Sequence, residues 1–122
     1  MLKLAIIIGS TRPGRIGEAV ARWVYELAQK RTDATFELVD IQEFNLPLFD
    51  EPIPPSQSKY SKVHTRKWAA KIASFDGYVF VTPEYNHTVF KPRGFHEKAL
   101  GQVFDQVIAL GGAFRPLREK RA

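Results

Sequence analysis

The 122-residue sequence has no cysteine and a single methionine. The first absence removes disulfides, thiolate nucleophiles and cysteine metal centres together. Long apolar runs are also missing: the run that opens the chain is broken by Lys3 and ends before Arg12, too short for a signal segment or a membrane span. No membrane contact and a cytoplasmic location are therefore expected. The three histidines show no ligand pattern, since His64 has no second ligand at helical spacing and His96 is followed directly by Glu97. Charge of one sign does not dominate the first 90 residues, which carry 11 Lys/Arg and 10 Asp/Glu, whereas residues 91–122 carry 7 and 3. That basic end (Arg115, Arg118, Lys120, Arg121) has no interleaved aromatics to stack bases, so it reads as a solvated terminus rather than a nucleic-acid site. What remains, 44% hydrophobic and 25% charged, is ordinary for a globular protein. One domain over 1–122 is expected, burying about two-thirds of its unfolded surface.

The chain is organised around Gly9-Ser10-Thr11-Arg12-Pro13-Gly14-Arg15-Ile16-Gly17. This stretch follows an apolar run that reads as a buried strand, Leu4–Ile8, and precedes a helical pattern from Ile16. Its glycines let the backbone turn tightly and approach a ligand, Ser10 and Thr11 bring hydroxyl donors, and Arg12 and Arg15 bring positive charge. A helix start favours an anion by ~0.3–1 kcal/mol, and a charge-assisted arginine bond adds roughly 1.5–3 kcal/mol. A phosphate monoester suits such a cradle. The nucleoside triphosphate loop is excluded because no Gly-Lys-Ser/Thr follows, and the dinucleotide fingerprint because the glycines are spaced wrongly.

From about Ile16 to Lys30, Ile16, Ala19, Val20, Trp23, Val24, Leu27 and Ala28 form one helical stripe, and Thr35–Asp40 alternates as a second strand. A strand, a helix and a strand make a right-handed crossover, so the two strands are expected to be parallel neighbours. Pro47, Pro52, Pro54 and Pro55 mark residues 41–58 as loop, with Leu46, Leu48, Phe49 and Ile53 expected against the body or a partner. A second helix is predicted from near Ser58 to Ser74, with Tyr60, Val63, Trp68, Ile72 and Phe75 on its stripe. The third strand, Tyr78–Val81, is apolar throughout and leads into Thr82-Pro83-Glu84-Tyr85-Asn86-His87. Both polar loops thus leave the carboxyl ends of parallel strands, where open α/β sheets bind ligands.

Together, Gly9–Gly17 and Thr82–His87 closely resemble the paired motifs of the NADPH-dependent FMN reductases, a flavodoxin-like family that includes quinone and azo-dye reductases. The resemblance covers roughly residues 1–90. It implies an α/β, flavodoxin-like three-layer sandwich, non-covalent FMN, NADPH or NADH as reductant, a small-molecule electron acceptor and a homo-oligomer, commonly a dimer or tetramer. By position, Ser10, Thr11, Arg12, Arg15, Ile16 and Gly17 would hold the FMN phosphate, with Arg15 also near the nicotinamide cofactor, and Pro83, Glu84, Tyr85 and Asn86 would line the ribityl chain and flavin ring. No catalytic residue is assigned, because the flavin carries the hydride.

Beyond Thr88 the sequence diverges from that pattern, and the family's last strand and helix are expected to be missing. Two readings of the end stand side by side. In one, Val107–Leu110 forms a shortened fourth strand, giving a parallel sheet in the order 2-1-3-4, with Gly111 and Gly112 in a third ligand loop. In the other, Ala99–Leu110 is an amphipathic helix capped by Gly111. Either way, the sheet face beside the first helix is expected to lose cover. The function expected is hydride transfer from NAD(P)H through FMN to a flavin, quinone or similar acceptor. The alternative is a catalytically incompetent flavin- or phosphate-binding module acting through assembly.

Overall fold

The computed structural model describes residues 1–83 and 93–120. The elements run β1 (Leu2–Ile8), α1 (Gly17–Gln29), β2 (Ala34–Asp40), short 3-10 turns at Ile41–Phe44 and Pro55–Gln57, α2 (Val63–Ala73), β3 (Gly77–Val81) and α3 (Gly94–Glu119). The strands form one parallel sheet in the order β2-β1-β3. β1 is central because it is the most apolar: Leu4 to Ile8 are each 1% exposed or less. Burying a leucine or isoleucine side chain contributes about 1.5–3 kcal/mol, so this strand alone anchors the sheet.

Alternation along β1 sends its side chains to two layers. Ile6 and Ile8 join Ala21, Val24 and Ala28 of α1 and Phe104 of α3. Ala5 and Ile7 join Val39 and Phe75, with Trp68 and Ile72 of α2 packed against them. The three-layer α/β arrangement is thus present, and the crossover from β1 through α1 to β2 is as the sequence predicts. The buried edge of α1 is rotated from the expected stripe. Ala21, Val24 and Ala28 are its buried residues, Trp23 and Leu27 are partly buried, and Ile16, at the N-cap rather than in the helix, is 59% exposed.

The end of the chain corrects the expected topology. Val107–Leu110 is not a fourth strand, and Gly111 and Gly112 do not form a loop: all lie within the 26-residue α3. The sheet's order among the described residues is accordingly 2-1-3. Helical period explains the outcome, since Leu100, Phe104, Val107 and Gly111 fall at i, i+4, i+7 and i+11 on the side turned to the sheet. The helix comes close enough to β3 that a Cβ added to Gly77 would lie 2.9 Å from Leu4 Cδ2 and 3.1 Å from Val107 Cγ1. The face beside α1 therefore keeps its cover, contrary to expectation, because α3 lies on it beside α1.

Ion pairs hold α3 at two places. The Arg31 guanidinium donates to Asp105 Oδ1 at 2.6 Å, and Arg118 donates to the Asp76 carboxylate at 2.5 Å and to its carbonyl at 3.0 Å. Arg115 pairs with Glu119, so the described arginines of the basic end are engaged within the chain. α2 starts at Val63, later than the Ser58 expected. Ser58 takes a left-handed backbone (φ 51°), and the buried Glu51 carboxylate accepts from the N–H groups of Ser61 (2.9 Å) and Lys62 (2.8 Å) just before the helix. This contact ties the long loop down, although Leu48 and Phe49 stay 94% and 64% exposed. His64 meets Asp50 at 2.9 Å. Among the described residues, no helix is long and apolar enough to cross a membrane.

Candidate functional site

The carboxyl ends of β1 and β3 come together at Gly9. Its N–H donates to the Val81 carbonyl at 3.0 Å, and a Cβ there would meet that same oxygen at 3.0 Å, with Pro83 Cδ at 3.9 Å. A Cβ at that distance would be tight, so glycine suits this close approach of the two strand ends. The two loops singled out in the sequence therefore leave the same edge of the sheet side by side. Of the second loop, Pro83 is adjacent to Gly9, while Glu84, Tyr85, Asn86 and His87 lie outside the described residues.

From Gly9 the chain arcs to α1 through a turn in which Arg15 N–H donates to Arg12 C=O at 3.1 Å and Gly14 takes φ 73°. Ser10 is buried, whereas Thr11 and Arg12 are exposed. Gly17 opens the helix beside Ser10, its hypothetical Cβ 3.7 Å from Ser10 Cβ. Ile16 is the N-cap and offers no side-chain hydrogen bond to the first turn. The first N–H groups of a helix need an acceptor, and most helices supply one from a serine, threonine, aspartate or asparagine at this position. α2 also starts without a side-chain cap, so what sets the α1 start apart is the preceding arc, whose Ser10, Thr11 and Arg12 are donors of the kind that could hold a phosphate group.

Arg15 is placed differently from its loop neighbours. Its guanidinium donates from Nη1 and Nη2 to the two oxygens of Asp40 at 2.7 and 2.5 Å, from Nη1 to the Ser10 carbonyl at 2.7 Å, and more loosely to Glu18 at 3.4 Å. The Arg15 and Asp40 side chains are only 10% and 15% exposed. The hydrogen bonds from Arg15 hold the Asp40 carboxyl below its ordinary range, and the same bonds raise Arg15. Glu18 is likewise lowered, chiefly by its bond to Arg22. The cluster of Arg15, Asp40, Glu18 and Arg22 thus balances its own charge.

Asp40 is the residue that sequence reasoning missed. It ends β2 opposite Ile8, which ends β1, so parallel register delivers a carboxylate to the entry of the loop. The signal was an acidic residue closing the strand next to the loop-bearing one. Gly111 and Gly112 are not brought to this edge. Gly111 packs against Leu2 and the Asp76 carbonyl at the amino end of the sheet. A groove of about 530 Å³ lies between β2 and α2, lined by Glu37, Asp40, Glu43, Phe44, Lys67 and Lys71 among others, and of the loop's partners it includes Asp40 alone.

Comparison with known proteins joins this geometry to a family. The sequence profile described as NADPH-dependent FMN reductase matches residues 2–89. An NAD(P)H-dependent FMN reductase of a Nectria species is 42% identical over 92 residues, covering 70% of this chain and 46% of that protein. One from Schizosaccharomyces pombe is 41% identical over 86 residues, covering 69% and 43%. A 2-hydroxy-1,4-benzoquinone reductase of a Burkholderia species is 34% identical over 88 residues, covering 72% and 44%. The chain spans less than half the length of each of these relatives. With the profile matched across both strand-end loops, the chain belongs to the NADPH-dependent FMN reductase family.

Proposed function

We propose that this chain carries the FMN-phosphate cradle of an NAD(P)H-dependent oxidoreductase, and that the start of α1, left without a side-chain cap beneath Gly9–Gly17, receives the phosphate. Ser10, Thr11 and Arg12 would donate to it from the arc, and the backbone of Ile16 and Gly17 from the helix start. Arg15, engaged by Asp40, supports the arc from behind. Pro83 and the following Glu84, Tyr85 and Asn86 would border the ribityl chain and ring. FMN held there would supply the redox chemistry, hydride acceptance from NADPH or NADH and electron transfer to a flavin, quinone or similar small acceptor. The protein's part is to bind, orient and shield. The reductant also sets our reading of the location, the cytoplasm. We read the assembly as a homo-oligomer, a reading supported by exposed Leu110, Phe114 and Leu117 along one flank of α3.

Titration of FMN with the purified chain, followed by quenching of flavin fluorescence, tests this reading. Saturable binding is expected, weakened about tenfold by Arg12→Ala if one exposed charge-assisted bond is lost. A folded chain that binds neither FMN nor inorganic phosphate rejects the cradle. A second reading, a flavin- or phosphate-binding module without turnover, is favoured by one observation: α3 occupies the sequence from which a third ligand loop was expected. FMN binding without NAD(P)H oxidation selects it.

A further inference from the structure

We propose that Asp40 is a positioning residue for the phosphate loop: it holds the Arg15 guanidinium against the Ser10 carbonyl and so fixes the arc through which Ser10, Thr11, Arg12 and the start of α1 meet the anion. The proposal rests on reading Gly9–Gly17 as the FMN-phosphate cradle.

Arginine presents a planar fork of donors that a carboxylate can grip with both oxygens. Asp40 takes one hydrogen from each terminal nitrogen of Arg15, which leaves Nη1 able to donate its second hydrogen to Ser10 at 2.7 Å. Asp40 can act as a fixed point because its backbone is in register with Ile8 of the central strand and its Oδ1 also accepts from Gln42 N–H at 3.0 Å. The connection therefore runs from the rigid end of β2, through one side chain, to the carbonyl at the start of the loop. Both side chains are mostly shielded, so water competes little for these bonds. The guanidinium is balanced by Asp40 and Glu18, so its contribution is placement rather than net positive charge.

This role predicts the opposite sign from direct phosphate binding by Arg15. If Arg15 were chiefly a phosphate ligand restrained by Asp40, Asp40→Asn would release it and tighten FMN. As a positioning residue, Asp40 loses the loop when its charge is removed. The expected result for Asp40→Asn is an FMN affinity lowered about tenfold, with riboflavin, which lacks the phosphate, changed by less than about twofold. Asp40→Glu should restore part of the loss, and Arg15→Lys, which keeps the charge but not the fork, should resemble Asp40→Asn. General damage to the fold would weaken both flavins alike and is separated by that ratio. Hydrogen exchange of amides 9–17 without flavin gives a second readout, expected to be faster in Asp40→Asn. Unchanged or tightened FMN binding by Asp40→Asn, or equal loss for FMN and riboflavin, overturns the proposal. If the unsubstituted chain binds neither FMN nor phosphate, the cradle reading fails by itself. The exchange rates then still decide whether Asp40 sets the loop, and unchanged rates would reject it.

Discussion

The two ends of the sheet each carry an arginine–aspartate pair, yet the pairs hold different things. At the carboxyl end, Arg15 and Asp40 are 10% and 15% exposed and restrain a nine-residue arc that has no core of its own. At the amino end, Arg118 and Asp76 are 41% and 20% exposed and clasp a 26-residue helix that is already seated by Phe104, Leu100 and Gly111. An ion pair matters in proportion to what else fixes the groups it joins. Exposed pairs contribute about 0–1 kcal/mol, whereas removing one partner of a shielded pair leaves a charge without compensation. Among the described residues the carboxyl end depends on polar contacts, while the amino end depends on apolar packing and is closed by α3.

The largest expected effect breaks that apolar closure. Phe104 is 2% exposed and meets Phe36 edge to face, with ring centroids 5.2 Å apart, in the cluster that joins α3 to β1 and α1. Phe104→Ala should destabilise the chain by about 3–5 kcal/mol, as core phenylalanine truncations do. Urea denaturation measures it. A loss under about 1 kcal/mol would mean that α3 is not an integral layer, and the contrast between the two ends would collapse.

An intermediate effect concerns Glu51, which fastens the loop after β2 on the other face. Burial pushes its carboxyl upward, but bonds from the Ser61 and Lys62 N–H groups and from the Ser61 and Thr65 side chains prevail and hold it at about 2, against an ordinary 4.5. A lowered carboxyl contributes stability that is complete above the unfolded value and is lost as pH falls toward the folded one. Glu51→Gln should therefore be less stable than the unsubstituted chain at neutral pH, with the difference closing between about pH 4.5 and 2. Thermal melts of both proteins across that range check the sign. A difference that is constant with pH would show that the carboxylate charge is not what fastens the loop.

Much of this contrast was legible in the sequence, and the exceptions have a common cause. β1, β2, β3 and the crossover through α1 follow from local pattern because one residue period serves each segment. Val107-Ile108-Ala109-Leu110 was ambiguous because four apolar residues in a row suit a buried strand and a buried helix equally, and Gly111-Gly112 resembles a loop. The choice lay in contacts distant in sequence, Phe104 with Phe36 and Gly111 with Leu2. The hydroxyls and arginines of the Gly9–Gly17 connection between β1 and α1 are what the proposed phosphate reading rests on, and the connection itself was legible from its own glycines. The partner of Arg15 was not, since it stands 25 residues away and is brought close only by the pairing of Ile8 with Asp40. Composition marks the loop, whereas register decides that Arg15 is drawn to Asp40.

The smallest effect sharpens the comparison most directly, because Arg118→Ala removes the amino-end counterpart of Arg15. The bonds lost are those to the Asp76 carboxylate and carbonyl. Asp76 would still accept from Lys3 N–H at 2.8 Å through its other oxygen and donate its own N–H to the Lys3 carbonyl at 2.7 Å, so it is not stranded. Upstream, Phe104 and the Arg31–Asp105 bond still seat the helix. The expected stability loss is under about 1 kcal/mol. FMN affinity should not change, since Asp76 precedes β3 at the end opposite Gly9. The same two assays, denaturation and flavin titration, then give inverse profiles for the two ends: Asp40→Asn is read mainly in FMN affinity and Phe104→Ala mainly in stability, with Arg118→Ala small in both. If Arg118→Ala weakened FMN as much as Asp40→Asn does, the two ends would be mechanically coupled through the sheet, and the division between a ligand edge and a packing edge would have to be abandoned.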